Sequence, residues 1–270
     1  MECQPNKTVD SSAGKIPEVP LIRLETLWLQ VGGTLCNLQC THCFVSCGPK
    51  NHSHEMMSLS QVRGHLEASK DLGIKDYYIT GGEIFINPEI FEILEEILKY
   101  GPLNMLTNGT LLTLEKSMRL KALQEGSAHT MTFRVSMEHF EQQENDKVRG
   151  KDSYDKALKG VQNLAKAGFS PILTITRSWD EENDAKMEKQ FLNLLLERKV
   201  QNPRVKILPP FLIGRQALTN RPYNTEERVT EKCFENYEIT NLQCSSCRMA
   251  TSKGVYVCPI LVDEPVGLMG

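Results

Sequence analysis

Long apolar runs and a strong charge of either sign are what this 270-residue chain has least of. No stretch approaches the ~20 consecutive apolar residues that span a bilayer, so no membrane partner is expected. The first residues carry Pro5, Pro17 and Pro20 and lack the apolar centre of a signal peptide. Residues 1–20 are therefore read as a flexible leader, and the protein as cytoplasmic. The formal net charge of -3 gives no global attraction to nucleic acid or to an anionic membrane, and neither is an expected partner. No paired carboxylates and no Ser/His/Asp grouping stand out as an active site. His129 and His139 flank a strand-like segment and are read as incidental.

Cysteine is what the chain does have. Seven of its nine cysteines fall into two groups, Cys36, Cys40 and Cys43, then Cys233, Cys244, Cys247 and Cys258. Grouping without a secretory signal favours metal over disulfides. Cys3 and Cys47 receive no role. The first group has the spacing C-x3-C-x2-C directly after a strand-like segment. Three such thiolates can hold three irons of a cubane 4Fe-4S cluster and leave the fourth iron open to a small molecule. Zinc usually takes four ligands, and a zinc site of the three cysteines with His42 or His52 is the alternative.

Around this loop the pattern is strand, then helix, repeated. Strands are expected over residues 24–31, 75–80, 103–107, 130–137, 172–176 and 204–208. Ser58 and Gln61 form a capping box for a helix with Val62, Leu66 and Leu72 apolar, and Gly73 as its stop. Further helices are expected after Asn87-Pro88, after Thr113, over 153–167 and after Asp180. Six alternating strands imply an α/β fold with a parallel sheet and right-handed crossovers. The pattern alone does not separate a doubly wound sheet from a partial barrel. In either, ligands gather at the carboxyl ends of the strands, where the cysteine loop, Gly81-Gly82-Glu83 and Thr107-Asn108-Gly109 fall.

The cysteine triplet followed by Thr80-Gly81-Gly82-Glu83 resembles the radical S-adenosylmethionine (SAM) superfamily. The resemblance covers most of residues 24–210. It implies a partial (β/α)6 TIM-like barrel and a reduced 4Fe-4S cluster that cleaves SAM to a 5′-deoxyadenosyl radical. It also implies an electron donor such as flavodoxin or ferredoxin. By the same resemblance Gly81, Gly82 and Glu83 hold the SAM amino group, with Glu83 as an acceptor. His42 and Phe44 border the adenine, and Ser136 contacts the ribose or carboxylate. Arg177 is expected either to pair the SAM carboxylate or to form a structural ion pair. Ile84 stands where relatives usually carry proline, and Glu138 where many have aspartate.

After Gly214 the βα pattern stops. Cys233, Cys244, Cys247 and the run Gly254 to Cys258 resemble the start of SPASM and twitch extensions, which imply a second iron–sulfur cluster. A tetrahedral all-cysteine zinc site is the alternative. The organisation expected is a leader over 1–20, a core over 21–214 and a cysteine-rich region over 215–270. The function expected is C–H activation on a peptide, protein or natural-product precursor. The rivals are a small-metabolite substrate and a non-catalytic iron–sulfur or zinc scaffold.

Overall fold

The computed structural model describes residues 17–262 and 264–270. Cys3 and most of the expected leader lie outside the described residues. The six expected strands form as β1 (Thr26–Leu29), β2 (Asp76–Ile79), β3 (Leu103–Thr107), β4 (Met131–Ser136), β5 (Ile172–Thr176) and β6 (Arg204–Leu208). Two more follow, β7 (Cys247–Thr251) and β8 (Gly254–Tyr256). All eight belong to one sheet in the order β6-β5-β4-β3-β2-β1-β7-β8, parallel throughout except for the β7–β8 hairpin.

Helix α1 (Leu59–Ser69) opens on the expected capping box. The Ser58 side chain accepts from the Gln61 N–H, and the Gln61 side chain accepts from Ser58 N–H at 2.9 Å. The helix stops before Gly73, which takes φ +82° in the turn beyond it. Then come α2 (Ile90–Ile97), α3 (Leu114–Glu125), α5 (Ser153–Lys166) and α6 (Asp184–Glu197), each near its expected place. Helix α4 (Gln142–Arg149) was not expected, because its sequence QQENDKVR offers no apolar stripe to read. Helix α7 (Gly214–Thr219) follows β6.

Burial decides the architecture that periodicity left open. Alternate strand residues, among them Leu29, Ile79, Met105, Phe133 and Leu173, share a single core with the apolar sides of α1, α2, α5 and α6. Fully burying such side chains stabilises by about 1.5–3 kcal/mol each. The other face carries a different, smaller cluster, where Trp28 stacks on Tyr78 with ring centroids 4.2 Å apart. One helix-covered face and one separate inner face make a partial barrel rather than a doubly wound sheet. Residues 215–270 supply a strand to this same sheet. Strand β7 lies parallel to β1, from Thr26↔Cys247 to Leu29↔Ala250, and so satisfies the backbone groups of what would otherwise be an open edge.

Candidate metal and cofactor site

The loop that carries the first three cysteines leaves the carboxyl end of β1 and is fixed by its own return. Cys36 N–H donates to Gly48 O at 3.1 Å, Gly48 N–H to Thr34 O at 3.2 Å, and Thr34 N–H to His54 O at 3.0 Å. Gly33 sits at φ +54°, and a Cβ there would lie 2.4 Å from His54 O, so only glycine fits. Cys36 is buried and Cys40 and Cys43 are half-buried. Leu38 N–H points at Cys36 Sγ from 3.4 Å, and Cys47 N–H at Cys43 Sγ from 3.3 Å. Asn108 Nδ2 approaches Cys36 Sγ to 3.7 Å. Soft thiols that receive N–H groups are the donor set an iron–sulfur cluster takes.

The thiols are not electrostatically alike. Burial pushes Cys36 up to about 11, and the charges of Glu83, Cys40 and Cys43 add to the rise. Cys43 goes the other way. Its hydrogen bond with the Cys47 thiol outweighs burial and holds it at about 6. Cys47, without a role in the sequence reading, is raised correspondingly and acts as the donor to Cys43. Three ionised thiols together need a cation, because binding must release the protons that burial retains.

Gly81, Gly82 and Glu83 lie directly against this loop. Gly82 N–H donates to Gly33 O at 2.9 Å and Glu83 N–H to Leu35 O at 3.1 Å. A Cβ on Gly82 would sit 2.1 Å from Leu35 O and 2.8 Å from Cys36 Cβ. The close partner that requires glycine is therefore the cysteine loop itself. Gly82→Ala is expected to cost about 1–3 kcal/mol by overpacking and to displace Cys36. Denaturant unfolding, with iron content after anaerobic reconstitution, checks this; unchanged values for both would contradict it.

The Glu83 side chain does not serve as the free acceptor expected for a SAM amino group. Its carboxylate is fully buried and accepts from Phe85 N–H at 3.1 Å, Thr107 Oγ1 at 2.8 Å and Asn108 N–H at 2.7 Å. Burial raises its pKa, against the lowering effect of those donors. It braces the end of β3. Among the described residues the carbonyls of Gly81 and Gly82 accept no hydrogen bond, and these remain available acceptors.

His42 also faces inward. Its Nε2 lies 2.9 Å from Glu138 Oε1, which Arg149 Nε and Nη2 reach at 3.0 Å. Thr176 N–H donates to the other Glu138 oxygen at 3.0 Å. The His42 ring is thus committed to Glu138, which leaves its backbone for the expected adenine contact. Phe44 meets Phe211 edge-on at 5.1 Å. Ser136 ends β4, half-buried and in register with Thr174. Arg177 takes the structural alternative, with Asp184 held at 3.0 and 2.6 Å and Glu181 at 3.1 Å. Its guanidinium is spent there rather than on the other candidates.

Sequence reasoning missed Arg215. Its Nη1 donates to Cys40 O at 2.7 Å, its Nη2 to Ser46 O and Cys47 O at 2.8 and 3.0 Å, and its N–H to Cys43 O at 3.0 Å. A Cβ on the preceding Gly214 would meet Phe44 O at 2.0 Å. The only signal was a Gly-Arg pair soon after the last core strand.

Residues 31–190 match the family described as the radical SAM superfamily. The chain belongs to that superfamily. Curated relatives include the GTP 3′,8-cyclase of Peptoclostridium acidaminophilum, 29% identical over 64% of this chain and 53% of that protein. The mycofactocin maturase MftC of Mycobacterium tuberculosis is 29% identical over 53% of this chain and 36% of its own. The subtilosin biosynthesis protein AlbA of Bacillus subtilis is 30% identical over 50% and 29%. The chain thus spans about half or less of the length of these relatives. Among solved structures, Streptococcus suis SuiB bound to SAM has a TM-score of 0.66 at 14% identity, over 91% of this chain and 63% of that one. The enzyme anSMEcpe with bound SAM has a TM-score of 0.62 at 16% identity, over 88% and 75%. At those identities the two establish the fold, a partial barrel.

Members of the radical SAM superfamily hold a 4Fe-4S cluster and SAM, as the triplet led one to expect. The later cysteines occupy the opposite end of the barrel. Cys247 pairs in register with Thr26 at the amino end of β1, whereas the first loop leaves the carboxyl end. The hairpin register Met249↔Tyr256 carries Cys258 opposite Cys247. Burial pushes Cys247 up to about 12, with Cys258 and Cys244 adding to the rise. Cys244 is raised by burial and then by Cys258. Cys258 thus stands across the hairpin from Cys247, with Cys244 three residues before Cys247. Cys233, the remaining cysteine of this group, has its sulfur 3.7 Å from Thr230 Oγ1. Arg248 Nη1 donates to the carbonyls of Cys244 and Cys247 at 2.9 and 2.6 Å.

Proposed function

We propose that Cys36, Cys40 and Cys43 hold a 4Fe-4S cluster with one open iron, and that SAM lies between it and the end of β4. The observation that carries this reading is the fixed contact of the cysteine loop with Gly81 and Gly82, whose carbonyls are free acceptors for an ammonium group. Held by Cys36, Cys40 and Cys43, the cluster would supply the electron for reductive cleavage of SAM, the chemistry of C–H activation. The chain's own residues orient and shield. Arg215 and Cys47 set the loop, Glu83 fixes the end of β3 beside it, and Ser136 offers a hydroxyl to the SAM ribose or carboxylate.

The substrate class favoured is a peptide, protein or natural-product precursor. MftC and AlbA are named for maturation and biosynthesis, and anSMEcpe has been solved with a bound peptide. A small metabolite is the second reading, favoured by the likeness to GTP 3′,8-cyclase. Cys244, Cys247 and Cys258, with Cys233, are assigned to a second iron–sulfur cluster. A flavodoxin or ferredoxin in the cytoplasm is the proposed electron donor. Among the described residues no helix is long and apolar enough to cross a membrane.

The test is anaerobic reconstitution, dithionite reduction with SAM, and chromatography for 5′-deoxyadenosine. Product with about eight irons per chain is expected for two 4Fe-4S clusters. Absence of product from protein that carries a full cluster would overturn the reading.

A further inference from the structure

The inner face of the barrel at β4–β6 holds three cations without a carboxylate partner; Arg204 donates to Ser170 O, while Arg134 and Lys206 have no hydrogen-bond partner among the described residues. The registers Arg134↔Ile172↔Arg204 and Ser136↔Thr174↔Lys206 place these residues in two adjacent rows on the face away from the helices. Successive rows are about 7 Å apart along a strand. Of the side chains that β3–β6 present to this face, none is acidic.

Elsewhere the arginines around the site are spent: Arg149 on Glu138, Arg177 on Asp184 and Glu181, Arg215 and Arg248 on carbonyls. Arg134 differs. Its Nε is buried without a hydrogen-bond partner, and its guanidinium rests 5.8 Å from the centre of the Tyr78 ring. Thr174 Oγ1, on the neighbouring strand, is likewise buried and unpartnered. Lys206 has no carboxylate partner among the described residues, and burial followed by the charge of Arg134 lowers its pKa. An open recess of about 470 Å³ wraps the β6 edge, bordered by Arg134, Ile172, Arg204 and Lys206 from the inner face and by Leu192 and Val205 from the α6 side. Its one carboxylate, Glu188 of α6, forms no ion pair with Arg134 or Lys206.

We infer that Arg134, Thr174 and Lys206 form the subsite for an oxyanion of the substrate, a carboxylate or a phosphate, on the inner face of the barrel. The inference rests on the proposed function, because it takes the inner face as the place where substrate lies. A planar guanidinium supplies paired donors to either oxyanion, and the lysine supplies a second charge across Thr174. An anion there would satisfy both unpartnered atoms and relieve the repulsion between two cations held together. It would also place the rest of the substrate within about one row of Ser136 and the strand ends.

Isothermal titration of the full, anaerobically reconstituted chain with tripolyphosphate and with a triglutamate peptide tests this. At least one probe is expected to bind one to one, and Arg134→Gln and Lys206→Gln should each weaken it tenfold or more. Arg134→Lys, which keeps the charge, should weaken it less. Preference for tripolyphosphate assigns a nucleotide-like substrate, and preference for the peptide an acidic peptide. Binding of neither probe, or affinities within twofold of wild type in both Gln variants, would overturn the inference. Lys206 is exposed on an edge strand, so its variant stays informative if Arg134→Gln misfolds. Formation of 5′-deoxyadenosine by the wild-type protein scores the radical SAM reading separately.

Discussion

Glu138→Ala is expected to destabilise the protein by about 3–5 kcal/mol, because it leaves a buried charge unpaired. Arg149 is only 7% exposed, and both of its contacts to carboxylate run to one Glu138 oxygen. The other oxygen receives Thr176 N–H, at the end of β5. His42, between two of the candidate ligands, loses its partner in the same substitution. The damage therefore reaches the cysteine loop through packing rather than through lost chemistry. Glu138→Gln keeps the shape and should cost less. A denaturant midpoint for Glu138→Ala equal to wild type would refute the assignment.

The same carboxyl gives a pH signature. Burial is the largest influence on Glu138 and raises its pKa, yet His42, Arg149 and Thr176 together bring it below the ordinary value of 4.5. A lowered folded pKa means its contribution is present above pH 4.5 and lost as pH falls through the folded value. Glu83, raised by burial, acts with the opposite sign and favours the fold at low pH. Glu138→Gln should therefore flatten the acid limb of a stability–pH profile measured in urea. An unchanged limb would show that the ion pairs do not govern it.

Replacing Cys36, Cys40 and Cys43 with alanine together is expected to abolish 5′-deoxyadenosine formation and remove about four irons per chain. The C-terminal group should keep its metal, because Cys247 sits at the other end of β1 and is organised by Arg248 and the β7–β8 hairpin. Iron and sulfide analysis alongside the activity assay separates the two sites. Retained product formation, or loss of all iron, would break the assignment of two independent sites.

The strands and the triplet were legible because each depends on local signals. Strands β3, β5 and β6 form over the residues that composition marked, and Ser58 caps α1 through a partner three residues away. What stayed hidden is what lies far apart in sequence or depends on facing. The pairing of β7 with β1 joins residues more than two hundred positions apart, and nothing local announces it. Helix α4 buries Asn145 and Arg149 instead of an apolar stripe. Glu83 and His42 were singled out by position, but sequence does not tell which way a side chain turns, and both turn into the protein. Arg215 lay just past the last expected strand, where an arginine is ordinarily solvated.

The most direct test of the account is electron paramagnetic resonance of the reconstituted, dithionite-reduced protein with and without SAM. The account predicts a reduced 4Fe-4S signal whose shape changes when SAM is added, and whose SAM-sensitive component disappears in the triple alanine variant. A signal indifferent to SAM, or a SAM-sensitive signal that survives loss of Cys36, Cys40 and Cys43, would contradict it.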